Sequence, residues 1–193
     1  MGVLKAIKER RSCRKFVTEP ISDDLIDKIL EAATLAPSAA NNQPWEFIVI
    51  TNNEIKQRIH FESLICKKKI FAMSGWKWVD KYKADFPLEA PVIIAVIGDP
   101  KKIGAHQFLK GTETVYQPAC AAAIQNMLLV AESMDIGSCW IGFAKFHFLN
   151  EENMKKFDIP AGYEVHFGVS LGYNVKENPK PLPRNKNVYN YFR

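Results

Sequence analysis

Residues 91–98 read Pro91-Val92-Ile93-Ile94-Ala95-Val96-Ile97-Gly98, an unbroken apolar run held between a proline and a glycine. A short, β-branched run of this kind is expected of a strand covered on both faces, since a half-buried strand would alternate with polar residues. Asp99-Pro100 ends it. On the amino-terminal side, Trp45 to Thr51 is aromatic and β-branched and reads as another strand, followed by a helix from about Glu54 to Leu64. Before it, Ser38 to Pro44 lacks periodicity and reads as a loop. Leu25, Ile26, Ile29, Leu30 and Ala33 repeat at helical spacing behind a candidate N-cap, Ser22, and that helix stops at Ala36-Pro37. Val3, Leu4 and Ile7 mark a short amphipathic helix ending near Arg11.

On the carboxy-terminal side, Thr112 or Thr114 can cap a helix running to about Met134. Its stretches 119–124 and 127–131 are apolar on nearly every side, so it belongs in a core or a subunit interface. Gly137 is expected to close that helix, with a third strand over Cys139 to Phe143, a short helix over Glu151 to Phe157 and a fourth strand over Tyr163 to Leu171. Residues 66–90 suggest irregular or short helical structure near the surface. Beyond Gly172, Pro179, Pro181 and Pro183 among polar residues read as an extended arm over 173–193. Strands separated by helices imply an α/β or α+β sandwich around a largely buried sheet. A single domain over residues 1–193 is expected at this length.

Composition narrows the function classes. Apolar residues make up 47% and charged residues 24%, which is ordinary for a globular chain. The net charge of +5 is modest and spread out, without the basic stripe of a nucleic-acid binder. Cys13, Cys66, Cys120 and Cys139 form no C-x-x-C pair, so neither zinc nor a dithiol redox site is signalled. The charged amino terminus carries no apolar signal core, and no stretch is long enough to span a membrane, so a cytoplasmic protein is expected. No glycine-rich phosphate loop follows a strand. His60, His106, His147 and His166 are scattered, and no catalytic side chain is assigned.

Four segments can carry chemistry. Arg10-Arg11-Ser12-Cys13-Arg14 follows a short helix, and alternate residues Arg10, Ser12 and Arg14 can face one side as an anion site, or serve as a solubilising patch. Pro37-Ser38-Ala39-Ala40-Asn41-Asn42-Gln43 combines small and amide residues, suited to a heterocycle edge or to a plain helix-to-strand connection. Gly142, after Cys139-Trp140-Ile141, permits a ligand to pack on the backbone, or marks a glycine bulge. Arg184 on the proline-rich arm can add a cation to a phosphate, or belong to a disordered tail. Trp76, Trp78, Tyr82 and Phe86 can cap a substrate or pack in the core.

In their order and spacing, these segments resemble the nitroreductase-like flavoprotein family across almost the whole chain. The likeness rests on R-R-S-x-R-x-F at 10–16, A-P-S-x-x-N-x-Q-P-W at 36–45, an alanine-rich helix containing Gln125-Asn126, Gly137 to Gly142, and the terminal P-R. The resemblance implies an α+β fold with a central, mostly antiparallel sheet flanked by helices, assembled as an interlocked homodimer. It implies FMN between the subunits, with Arg10, Arg11, Ser12 and Arg184 at the phosphate and ribityl chain and Arg14 at the N1–C2=O edge. Pro37, Ser38, Ala39 and Asn41 would come from the other subunit, and Ile141 and Gly142 would border the ring. Ala39 departs from the second serine many relatives carry, Gln117 stands where an acid is common, and residues 66–86 match no family pattern. The activity implied is two-electron transfer from NADH or NADPH through FMN to a nitroaromatic, quinone-like or other small electrophile, with ping-pong kinetics. A specialised flavoenzyme (dehalogenase, dehydrogenase or FMN-consuming enzyme) and a non-catalytic flavin binder are the alternatives.

Overall fold

The computed structural model describes residues 2–104, 108–111, 114–142, 155–156, 159–175, 181–185 and 191, with His166 described in its backbone alone. The described elements run α1 (Val3–Glu9), α2 (Asp23–Thr34), a 3-10 turn (Ala39–Asn41), β1 (Trp45–Ile50), α3 (Asn53–Ser74), α4 (Lys77–Lys81) and α5 (Phe86–Glu89). They continue through β2 (Val92–Gly98), α6 (Tyr116–Ser133), β3 (Gly137–Ile141) and β4 (Glu164–Gly172). The strands lie in the order β1-β2-β4-β3, and every neighbouring pair is antiparallel. The architecture is therefore α+β.

β2 takes an interior position and is buried along its whole length. Side chains alternate across a strand, so its apolar run feeds two cores at once. Val92, Ile94 and Val96 pack with Ile29 and Ala33 of α2 and Ala123, Met127 and Ala131 of α6. Ile93, Ala95 and Ile97 pack on the opposite face with Ile59 of α3, Phe86 of α5, Cys13, Cys139 and Val165. Each such isoleucine or valine contributes about 1.5–3 kcal/mol of burial. The alanines Ala33, Ala123 and Ala131, all without exposure, let α2 and α6 approach closely, and Asn126 donates to the Ala32 carbonyl at 2.9 Å to tie them.

Several local expectations are corrected. α3 continues ten residues past Leu64 to Ser74 and closes at Gly75, whose φ of 65° admits the left-handed turn as its N–H donates to the Phe71 carbonyl. Lysine is a good helix former, and Lys68 and Lys69 face solvent while Ile59, Ser63 and Cys66 face inward, so the charged run continues the helix. Asn52 caps it, accepting the Ile55 N–H at 3.1 Å. At α6 the N-cap is Val115 and not Thr114, whose carbonyl accepts from the Gln117 N–H; Thr112 lies outside the described residues. Asp135, at φ 58°, makes the turn expected of Gly137. Gly137 is already in β3, where a Cβ would stand 2.5 Å from Asn174 Oδ1 and 3.0 Å from Cys13 Cβ. β3 ends at Ile141; Phe143 and most of the helix expected over 151–157 lie outside the described residues. Ser22 holds the N-cap position of α2 without a capping bond from its side chain.

Candidate functional site

α1 ends at Glu9 with Arg10 as its cap, and the chain leaves it extended along the outer edge of β3. Ser12 bridges Ser138 in parallel, the Cys13 N–H donates to the Ser138 carbonyl at 2.8 Å, and Phe16 bridges Asn174. Buried Cys13 and Phe16 anchor this segment, leaving Arg10 and Ser12 partly exposed and Arg14 exposed. Arg11 turns back on α1, its Nη1 donating to the carbonyls of Lys8 at 2.7 Å and Arg10 at 2.8 Å. It thus satisfies orphan carbonyls at a helix C-terminus. Its Nε is buried without a hydrogen-bond partner among the described residues, as is Ser138 Oγ. Ser12 lies beside Cys139, whose thiol is raised above its ordinary value by burial. Glu132 of α6 lies close by. Burial raises its carboxyl, while neighbouring Arg10 and Arg11 favour the charged form.

A cavity of about 160 Å³ opens beside this segment, between α3, α4, α5 and the end of β3. Ser63, Lys67 and Ile70 form its α3 wall; Trp76, Trp78 and Tyr82 face them, with Ile141 at the β3 end. Arg14 stands beside Tyr82, which brings the basic segment next to the cavity. Burial works against the Arg14 charge, but neighbouring Cys139 and Tyr82 together outweigh it and raise its pKa. Gly142 follows Ile141 at the surface, and among the described residues a Cβ there would meet nothing within 4 Å. The aromatic residues divide between the two roles weighed from sequence. Phe86 is core at 4% exposure, whereas Trp76 and Trp78 are 56% and 58% exposed. Ser63, Lys67 and Ile70 were missed by sequence reasoning. Their i, i+4, i+7 spacing marks one helical face, but only once the helix is known to continue past Leu64.

The loop 37–44 lies elsewhere. It leads into β1, the edge strand opposite β3, three inter-strand steps or about 14 Å across the sheet. It is also displaced along the strands. Trp45 pairs with Gly98, and Gly98 with Glu164 at the start of β4, while Ser138 pairs with Leu171 near its end. Ala40, Asn41 and Gln43 have φ of 50°, 53° and 44°, left-handed non-glycine residues interrupted by right-handed Asn42, in a loop held by the Gln43 N–H donating to Ser38 Oγ at 3.0 Å. Such conformations cost of order 1–3 kcal/mol each and concentrate at ligand clamps and active sites. Pro37 and Asn41 are exposed, Ser38 and Ala39 half-buried. Arg184 is exposed in an irregular stretch. Of the sequence-derived residues, the structure brings Arg10, Arg11, Ser12, Arg14, Ile141 and Gly142 to the β3 edge of one chain. Pro37, Ser38, Ala39 and Asn41 sit at the far edge.

Among the described residues, no cluster of His, Cys, Asp or Glu is arranged to hold a metal, and no helix is long and apolar enough to cross a membrane. A family model described as the Nitroreductase family matches residues 7–173. A protein of Archaeoglobus fulgidus, provisionally named NADH dehydrogenase/NAD(P)H nitroreductase, is 36% identical over 178 residues, 90% of this chain and 86% of its own. A Methanothermobacter thermautotrophicus protein of the same provisional name is 34% identical over 179 residues, covering 93% of this chain and 80% of its own. Among solved structures, a nitroreductase with bound FMN from Desulfitobacterium hafniense superposes with a TM-score of 0.84 at 30% identity, covering all of both chains. The match of the family model across the sheet and both flanking layers settles the family: the chain belongs to the nitroreductase family.

Proposed function

We propose that this protein is an FMN-dependent NAD(P)H oxidoreductase that passes two electrons to a small electrophile, a nitroaromatic or quinone-like compound, by ping-pong turnover. One observation carries the reading: the Arg10–Arg14 segment lies along the β3 edge, and Arg14 stands beside Tyr82, a wall residue of an apolar cavity. The residues fit FMN on two counts. Arg11 Nε is buried with no partner among the described residues, and none of those residues blocks close approach of a flat ring to the backbone at Gly142. FMN, when bound, supplies hydride acceptance and donation.

In this reading Arg10, Arg11 and Ser12 hold the phosphate and ribityl chain, with Arg184 joining from the arm 173–193. Guanidinium forks bind phosphate bidentately, and the serine hydroxyl adds a hydrogen bond. Arg14 supplies positive charge at the N1–C2=O edge, Ile141 and Gly142 border the ring, and Pro37, Ser38, Ala39 and Asn41 reach it from a second subunit. A second copy is required because the loop and the basic segment occupy opposite edges of one sheet. The surface of α1 supports a homodimer, since Val3, Leu4 and Ile7 are 69%, 73% and 53% exposed beside a groove lined by Leu35 and Leu129. No side chain needs to act as acid or base; solvent provides the proton that accompanies each hydride. Reduction of one nitro group then takes two electrons and two protons and yields the nitroso compound and water. A cytoplasmic setting, where NAD(P)H is supplied, belongs to the same reading.

The test is the absorption spectrum of the purified protein, followed by anaerobic titration with NADH and NADPH. Flavin bands, bleached by one equivalent of nucleotide per site and restored by a nitroaromatic or quinone, are the expected result, on a particle of two-chain mass. A colourless protein that takes up no added FMN overturns the proposal.

A further inference from the structure

A net charge that reads as spread out along the sequence proves to be concentrated. Residues 65–83 hold six of the 26 basic residues and one of the 21 acidic ones, Asp80, which leaves 20 of each elsewhere. The excess of +5 thus belongs to one stretch: the last turns of α3, the turn at Gly75, α4 and the two residues after it. All six cations in it are lysines.

The same stretch is apolar at its tip. Phe71, Ala72 and Met73 follow one another around α3 in steps of about 100° and all are exposed, so the end of the helix stands clear of the body. Trp76 and Trp78 are exposed beyond the turn and stack at 5.9 Å with 26° between planes. Phe71, Met73, Trp76 and Trp78 are 38%, 88%, 56% and 58% exposed, four large apolar side chains within residues 71–78. Exposed Lys68 and Lys69 lie one turn back along α3, Lys77 stands between the tryptophans, and Lys81 is one turn further on.

A surface both apolar and basic calls for a partner that takes up apolar side chains and carries negative charge. Protein interfaces are depleted in lysine and enriched in arginine, and single-stranded nucleic acid is held in a basic groove. A projecting tip with lysines and no arginine suits neither. An anionic bilayer accepts both components: its surface attracts lysines, their stems reach along apolar surface with the ammonium in water, and tryptophan settles at headgroup level.

We infer that the α3–α4 tip docks this protein on an anionic lipid surface, with Phe71, Met73, Trp76 and Trp78 entering the headgroup layer and the lysines paired with lipid phosphates. The contact is superficial, since among the described residues no helix is long and apolar enough to cross a membrane. Trp76 and Trp78 also wall the cavity, so a docked chain turns that cavity towards the lipid. Such docking requires neither flavin nor turnover.

The full chain is sedimented with vesicles of phosphatidylglycerol mixed with phosphatidylcholine, and with vesicles of phosphatidylcholine alone. Binding is expected to the mixed vesicles only, weakening as salt is raised. Joint substitution Lys68→Glu, Lys69→Glu and Lys77→Glu should reduce affinity roughly tenfold or more. Tryptophan emission should shift to the blue on binding, and Trp76→Ser with Trp78→Ser should remove both the shift and most of the binding. Circular dichroism and particle mass equal to the wild type show that the variants fold and assemble normally. Sedimentation independent of lipid charge, or untouched by the lysine substitutions, overturns the inference, as does tighter binding to single-stranded DNA. Tip variants that change the particle mass identify a subunit contact and overturn it as well. A colourless protein that sediments as expected upholds the docking while the redox proposal fails.

Discussion

Arg11 shows how one side chain in a motif can serve the fold and the site together. Its Nη1 closes the carbonyl end of α1, so the guanidinium is oriented before any ligand arrives, while its Nε is left without a partner among the described residues. Arg10 is the freer of the pair, and Arg184 is exposed on a segment with no regular structure. Arg10→Ala combined with Arg184→Ala is therefore expected to weaken FMN retention at least tenfold while the chain stays folded, since neither side chain is part of a core cluster. Flavin released during gel filtration, set against an unchanged circular dichroism spectrum, measures this. Retention equal to the wild type removes both arginines from the phosphate. The type of these residues was legible in sequence. Their division of labour was not, because it depends on which carbonyls lie within reach once α1 has stopped.

At the scale of elements, β2 was the most readable part of the chain and α3 the least. An apolar run without alternation admits few placements other than an interior strand, and both faces of β2 are covered. Ile94, without exposure, lies between α2 and α6. Ile94→Ala is expected to cost about 2–5 kcal/mol, whereas Val49→Ala, at an edge position 40% exposed, should cost under about 1 kcal/mol. Urea unfolding of the two variants decides it, and equal losses would mean that β2 is not the shared wall of two cores. α3 was hard to read because its outer half packs on one narrow side only, so its polar residues outnumber the apolar ones that reveal a helical period. The helix boundary then conceals the cavity, whose α3 wall lies across the stretch where the sequence pattern fades.

The whole molecule responds to alkali through groups spread over both cores. Burial pushes the hydroxyls of Tyr116 and Tyr163 and the thiol of Cys120 up to about 12, from ordinary values of 10 and 9, and raises Cys13, Cys66 and Cys139 in the same direction. Each therefore binds its proton more tightly in the native state than in the unfolded chain. The stability this supplies is present below pH 9 and is lost as pH rises from about 9 to 12. Burial lowers Lys56, whose Nζ donates to the Ala90 carbonyl, and so opposes the trend, but among the described residues one such group stands against six. Thermal melts from pH 8 to 11.5 should show a falling Tm across that window; a flat profile refutes it.

The amino-acid sequence alone determined that a fully apolar strand needs cover on two sides, that arginines, a serine and an amide-rich loop stand in a family's order, and where most elements begin. These are local properties, expressed by side-chain period and backbone preference over a few residues. Only the tertiary structure decided that the basic segment runs along β3 while the loop leads into β1, which divides the candidate site between opposite edges of one sheet. It alone drew Ser63, Lys67, Trp78, Tyr82 and Ile141 around one cavity, across 78 positions of chain between Ser63 and Ile141. Strand order and helix length set those distances, and both follow from how the layers pack, which no short stretch of sequence encodes.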